Sequence, residues 1–332
     1  MRNVLTRTEG ITMNQRIRHT AVAFGMALAF GGTQAGAESF LVDLTHPLGT
    51  FAPKKGAMWE ADLTKPYKNS IAVPTFGAQV VYERTPNFTT NQGHFAGGRF
   101  AVGEHHGTHI DTPMHYQNNA ETTELKDRDN RTLELLTEKD LIGPIVFIDI
   151  SSRVQAELDK NGGVASRDIK KTDFSNTSNN SVTAEDVDAI ADQLQNGSWI
   201  IANAGWSRFY KNPDFATTPY FNGWNYPGFS KAACDRLIEI EDKKGIRING
   251  IGMDNIAIDS GHSGRGDKGD LVVNSFHCHV RGLQRGWKFV ENATNLGQLA
   301  EAKPGSCTLF VGALKLVNGT GAPARVLAKC DS

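Results

Sequence analysis

The sequence predicts one α/β domain with more strand than helix, and three observations carry that prediction. Short apolar, β-branched runs bounded by Gly, Pro and Asn recur along the chain. Two helix-start signals stand between them. No repeat or long linker divides the chain, so residues 38–332 read as a single domain of about 290 residues, within the range for sheet-rich enzymes.

The elements follow in chain order. After Met13, "NQRIRHTAVAFGMALAFGGTQAGAES" offers basic Arg16 and Arg18, an apolar stretch from Ala21 to Phe30, and the small-residue site Ala35-Gly36-Ala37. That is the pattern of a secretory signal peptide, so 1–37 is an N-terminal extension to be removed and the mature protein is periplasmic or secreted. Residues 1–12 precede the second methionine and offer an alternative start at Met13. Strands are expected at "FLVDLT" from 40, "RFAVGE" from 99, "PIVFIDI" from 144, "SWIIANA" from 198 and "GIGMDNIAI" from 250, with a final pair at 308 and 324. One helix starts at Thr183, with Glu185 and Asp186 in its first turn, and another at Ser230, ending before Gly245. Between them 151–180 turns polar and reads as an irregular surface insertion. "GHSGRGDKGD" at 261–270 is a second loop.

Export permits cysteine pairing. The turn Asn318-Gly319-Thr320-Gly321 would bring Cys307 and Cys330 together on adjacent strands, although four cysteines allow more than one connectivity. Cys234, in a predicted helix, and Cys278 read as simple buried thiols.

Charge narrows the partners. Lys plus Arg number 35 against 36 Asp plus Glu, a net charge of -1, so no basic excess draws nucleic acid and a small-molecule partner is expected. The apolar stretch of the leader falls short of the roughly 20 residues that span a bilayer, so no membrane contact is expected of the mature form.

Four of the ten histidines lie within "HHGTHIDTPMH" at 105–115. Gly107 and Pro113 oppose a helix here, which points to a strand end and turn. In an extended segment His105, His109, Asp111 and His115 share one face, and His106 falls on the other as a bystander. Two imidazoles and a carboxylate on one side suit a divalent metal, zinc or manganese, with positions left open for water or substrate. His115 beside them is placed to move protons, and Thr108 to orient the loop or a ligand through its hydroxyl. No G-x-S-x-G elbow offers a serine nucleophile instead.

The same segment resembles the H-x-G-T-H-x-D-x-P-x-H signature of the cyclase-like metal hydrolases, which include kynurenine formamidases and isatin hydrolases. "HVRGLQRGWKFVENATNL" resembles the downstream element of their two-metal members, where a histidine and a glutamate twelve residues later complete the site; here these are His279 and Glu291, with His277 as the alternative to His279. "FLVDLTHPLG", "NAGWSRFY", "YPGFSKAACDRLIE", "GIGMDNIAIDSG" and "APARVLAK" resemble further family elements, the fourth with Asp254 and Asp259 in place. The chain departs from the pattern in its export signal, its 151–180 insertion and its "FAPKKGAMWE" in place of the usual tryptophan-and-proline element.

The resemblance implies a swivelling β/β/α fold with a mixed sheet, one or two divalent metal ions held by His105, His109, Asp111, His279 and Glu291, and His115 as the catalytic acid/base. It implies hydrolysis of a cyclic amide or an aryl amide, isatin-type or formamide, by metal-activated water, with lactones as the alternative within the family. It places Phe100, Trp206 and Trp224 near the substrate, an aromatic amide or lactone, and implies a homodimer or homotetramer. A periplasmic metal- or ligand-binding protein without turnover is the reading from another class.

Overall fold

The apolar runs form the staves of a closed sheet. A computed structural model describes residues 38–48, 67–72, 79–84, 99–116, 129–160, 180–210, 220–264 and 276–332. The expected signal peptide, "FAPKKGAMWE" and 161–179 of the expected insertion lie outside the described residues. In chain order the elements are β1 (Ser39–Asp43), β2 (Tyr67–Ala72), β3 (Gln79–Arg84), β4 (Arg99–Ala101), β5 (His109–Asp111), α1 (Glu138–Leu141), β6 (Ile142–Asp149), α2 (Ser151–Lys160) and α3 (Ala184–Ile190). There follow β7 (Trp199–Asn203), α4 (Lys231–Lys244), β8 (Gly250–Met253), α5 (His277–Gln284), β9 (Lys288–Glu291), β10 (Thr308–Ala313) and β11 (Gly321–Asp331).

The mixed sheet that the family resemblance implies is present, and it closes on itself. Its order is β11-β10-β6-β7-β8-β9-β5, and β5 pairs back onto β11. The run β6 to β9 is parallel and the remaining ladders are antiparallel. Strand β1 pairs with the later part of β11, outside the ring. Strands β2, β3 and β4 form a separate antiparallel sheet.

The parallel strands are buried on both faces, which is why they read as unbroken apolar runs. Ile145, Trp199, Ile201 and Val290 pack with Leu309, Val326 and Ala322. The alternate residues Val146, Ile148, Ile200 and Ile251 pack with the helical layer, where Val187, Leu237 and Leu283 lie. Helix α3 starts as expected, with Thr183 Oγ1 accepting from the Asp186 N–H. Helix α4 starts at Ser230, whose Oγ accepts from the Ala233 N–H, and stops at Gly245, whose φ of 64° suits a residue without Cβ.

Two expectations are corrected. The first ten residues of the 151–180 segment are the helix α2, with Val154 and Leu158 buried on one side, and only their polar exposed faces gave the impression of an irregular insertion. Cys234 and Cys278 are disulfide-bonded to each other, with Cα atoms 5.6 Å apart, and so tie α4 to the start of α5. The β10–β11 register sets Cys307 opposite Cys330, and these two are bonded as well.

Candidate metal centre and active-site cavity

Three residues of β5 bring two halves of the chain together. Strand β5 lies between β9 and β11, with His109 opposite Glu291 and Asp111 opposite Gly321. Ahead of it the backbone turns at 104–105 and Gly107 takes a φ of +65°, in the left-handed region that glycine enters without strain. Thr108 pins this turn: its hydroxyl donates to the Asn292 carbonyl at 2.5 Å and accepts from the His46 N–H at 2.8 Å. The extended alternation expected across 105–115 therefore holds only within β5. His105 reaches the site through the turn, not through strand parity.

Around buried Asp111 the predicted ligands converge. His109 Nε2 lies 3.2 Å from Asp111 Oδ1 and 3.4 Å from Glu291 Oε2. His279 Nε2 lies 3.6 Å from Asp111 Oδ2 and 3.4 Å from Glu291 Oε1. His105 Nδ1 is 2.6 Å from Asp111 Oδ1, while its Nε2 is 3.0 Å from Thr320 Oγ1. Both nitrogens of His105 are thus engaged, and it must exchange one bond to bind a cation. His115 stacks on His105 with ring centroids 3.6 Å apart and meets His279 edge-on.

Hydrogen bonds outside the cluster fix which nitrogen of each imidazole faces in. Gly107 O can only accept, so His109 Nδ1, 2.8 Å away, carries the hydrogen. The Asp259 carboxylate accepts from His279 Nδ1 at 2.6 Å, and also from the backbone N–H groups of Cys278 and His279. Both Nε2 atoms therefore turn a lone pair toward two carboxylates. Asp111 Oδ2 is buried and, among the described residues, has no hydrogen bond within 3.5 Å, with His279 Nε2 standing 3.6 Å away. Four acceptors facing one another are stable only around positive charge, so the donor set fits a divalent cation.

The electrostatics agree. Burial alone would lower His109, but Asp111 and Glu291 raise it to about 9. Burial opposes charge on His279 too, yet the neighbouring carboxylates of Asp111, Asp259 and Glu291 hold it well above the usual imidazole range. Burial pushes Asp111 up, but His115, His105 and His109 draw it well below the usual carboxylate range. Protons thus supply the positive charge when no metal does. His115, by contrast, is pushed down by burial to about 3 and is neutral near pH 7.

A cavity of about 440 Å³ opens onto the cluster, lined by His105, His106, His109, His115, His279 and Glu291, with Gly103, Glu104, Tyr116, Ile256, Ala257 and Phe276. His106, expected as a bystander, is part of this wall. The left-handed turn at Gly107 breaks the alternation that would have sent it away. Burial lowers its pKa, with His109 and His105 adding to the effect.

The three residues expected near substrate do not line the cavity. Trp206 is fully buried, with its indole N–H donating to the Tyr220 carbonyl at 2.8 Å and its backbone N–H to Asp254 at 2.6 Å. Phe100 is 55% exposed on β4. Trp224 stands one layer back, 6.4 Å from the Phe276 ring. Among the described residues the aromatic wall is Tyr116 and Phe276, which no motif in the sequence marks. In the sequence Asp259 stands only within the "GIGMDNIAIDSG" element, and the fold brings it to His279. His277, the alternative ligand, bonds Asp235 through Nε2 at 2.7 Å and is not among the cavity-lining residues.

A family model described as "Putative cyclase" matches residues 42–260. No curated protein matches the sequence. Among solved structures the chain is similar to isatin hydrolase A from Labrenzia aggregata, bound to benzyl benzoate: 21% identity, 89% of this chain and 94% of that one covered, TM-score 0.60. It is similar to isatin hydrolase A from Ralstonia solanacearum at 20% identity, with 88% and 92% covered and a TM-score of 0.59. An isatin hydrolase bound to the product analogue thioisatinate gives 22% identity, 89% and 94% covered, and a TM-score of 0.58. At these identities the likeness is one of fold.

Proposed function

Because the chain belongs to the cyclase family, we propose that it is a metal-dependent hydrolase that opens a cyclic amide or cleaves an aryl amide. The observation that carries this reading is the buried Asp111 Oδ2, without a hydrogen bond among the described residues, facing His109, His279 and Glu291, which come from segments some 170 residues apart. His109, Asp111, His279 and Glu291 would hold the cation, zinc or manganese, with His105 joining on release of one of its present bonds. A divalent cation there supplies Lewis acidity to a carbonyl and to water.

The chain's own residues do the rest. Neutral His115, beside His105 and His279 on the cavity wall, accepts a proton from attacking water and returns it to the departing nitrogen or oxygen. Tyr116 and Phe276 offer ring faces and edges to a flat substrate, with Ile256 and Ala257 completing an apolar wall that limits water. The shared fold with isatin hydrolases supports isatin as the first substrate to try, formanilides as the second and lactones as the third. Two disulfides support action in an oxidising compartment, in keeping with an export signal at 1–37.

Metal analysis of purified protein, followed by an absorbance or pH-stat screen over these three substrate classes, tests the proposal. His109→Ala should lose metal and turnover together, whereas His115→Ala should keep metal and lose turnover. Bound metal with no hydrolysis of any class would replace the enzyme reading by a binding one.

A further inference from the structure

The Cys234–Cys278 bond stands one residue from His279. Cys278 precedes that imidazole in α5, and its partner Cys234 lies one turn into α4. Both cysteines are fully buried. Helix α5 has no side-chain cap bond at Phe276; Asp259 accepts instead from the N–H groups of Cys278 at 2.7 Å and His279 at 3.1 Å, and from His279 Nδ1 at 2.6 Å. The segment that carries Asp259 is in turn tied to the start of α4: the Phe229 N–H donates to the Ile258 carbonyl at 2.8 Å, and Ser230 opens the helix. Residues 229–234, 258–259 and 278–279 thus close a triangle, and the disulfide is its covalent side.

The triangle fixes where the imidazole stands. His279 Nε2 faces Asp111 and Glu291 at 3.6 and 3.4 Å, and a metal site tolerates only about 0.2 Å of error in its ligand distances. Asp259 sets the tautomer of the ring, and the disulfide anchors the backbone that carries it. His277 adds a hydrogen bond to Asp235 of α4 at 2.7 Å, but that pair is partly exposed, where water competes. Breaking the covalent side obliges two buried sulfurs to separate, and a close-packed interior passes such a shift to the next residue, His279.

We infer that Cys234 and Cys278 are positioning residues of the metal centre, whose bond holds His279 in register with Asp111 and Glu291 and so raises metal affinity. This rests on the hydrolase reading for taking the cluster as a metal centre. Linkage is reciprocal, so bound metal must protect the disulfide by the same factor. A dithiol reads that protection by passing two electrons and two protons to the protein: the Cys234–Cys278 bond breaks, two thiols form, and the reductant closes to its own cyclic disulfide.

The test uses Mn²⁺, a cation that thiols hold weakly, with the free ion followed by electron paramagnetic resonance. Cys234→Ala/Cys278→Ala should bind Mn²⁺ roughly tenfold more weakly than the wild type and alter the signal of the bound ion. Cys307→Ser/Cys330→Ser, which loses a disulfide away from the ligands, should keep wild-type affinity and signal. A second measurement serves if the first variant does not fold: wild type is equilibrated with dithiothreitol, and the two disulfides are read by alkylation and mass spectrometry. Saturating Mn²⁺ should make Cys234–Cys278 harder to reduce by the same tenfold, about 30 mV, and leave Cys307–Cys330 unchanged. Equal Mn²⁺ affinity in wild type and the 234/278 variant overturns the inference, as does an equal loss in the 307/330 variant or a Cys234–Cys278 reduction indifferent to Mn²⁺. A wild type that binds neither Mn²⁺ nor zinc overturns it together with the hydrolase reading. If Mn²⁺ binding depends on the disulfide as stated but no substrate class is hydrolysed, the hydrolase reading fails and the role of the two cysteines stands.

Discussion

His109 and His279 each commit Nδ1 to the protein and turn Nε2 toward Asp111 and Glu291, so their charge state follows the metal. His109 sits at about 9 in the metal-free protein against an ordinary value of 6.5. Its contribution to metal-free stability is therefore fully present below pH 6.5 and is lost as pH rises through 9. A cation must displace that proton, so apparent metal affinity should weaken as pH falls below 9. Titrations in buffers of different ionisation enthalpy should register proton release, and none at pH 7 would contradict the arrangement. Asp259→Asn tests the other imidazole. An amide can present its N–H to His279 Nδ1 and reverse the tautomer, and metal affinity should fall roughly 10- to 100-fold with the fold intact by circular dichroism. At this scale much of the site was readable in the sequence, because residue type and tight spacing in 105–115 constrain chemistry more than conformation does. The roles of His106 and Asp259 were not, since one depends on the φ of Gly107 and the other on a contact 20 residues distant.

Elements capped by their own neighbours could be read from sequence, and those capped from afar could not. Thr183, Ser230 and Gly245 mark α3 and α4 locally. Helix α5 has Phe276 at its N-cap position with no side-chain cap bond, and Asp259, from the loop after β8, receives its first N–H groups instead. No local pattern announces such a helix. Strand β9 spans four residues and is equally hard to foresee, all the more because it opens on a buried lysine. Burial pushes Lys288 down to about 8 despite its 3.2 Å contact with Asp140, which also binds Arg131 at 2.7 Å and caps α1. Lys288→Ala leaves a carboxylate short of a partner and should cost about 3 kcal/mol, read by urea denaturation. Lys288→Met should cost less, because the aliphatic packing survives. Equal losses would mean that packing, not charge, is what Lys288 supplies.

For the whole molecule, the apolar runs foretold an α/β sheet but not its closure. Ring closure rests on β5 and its two ladders, to β9 and to β11, which pair residues about 200 positions apart, and no periodicity encodes such a pairing. The strands approach so closely at this seam that only glycine fits at 321: a Cβ there would stand 2.6 Å from the Ile110 carbonyl and 2.5 Å from His105 Cε1. Further along, the Cys307–Cys330 bond clasps β10 to β11 across a separation of 23 residues. Replacing both cysteines with serine should cost about 3 kcal/mol, seen as a lower denaturation midpoint with metal content unchanged, since this bond is remote from the ligands. Loss of metal at full stability would reverse that assignment.

The dependence of β5 on β9 and β11 has a consequence for biosynthesis. A ribosome makes His109 and Asp111 long before Glu291 and Gly321, their partners across the two ladders. Until both later strands emerge, the histidine-rich segment has no edge to join, and His279 and Glu291 do not yet exist to face it. The nascent chain thus has no completed centre with which to capture metal, and loading must follow synthesis of the barrel seam.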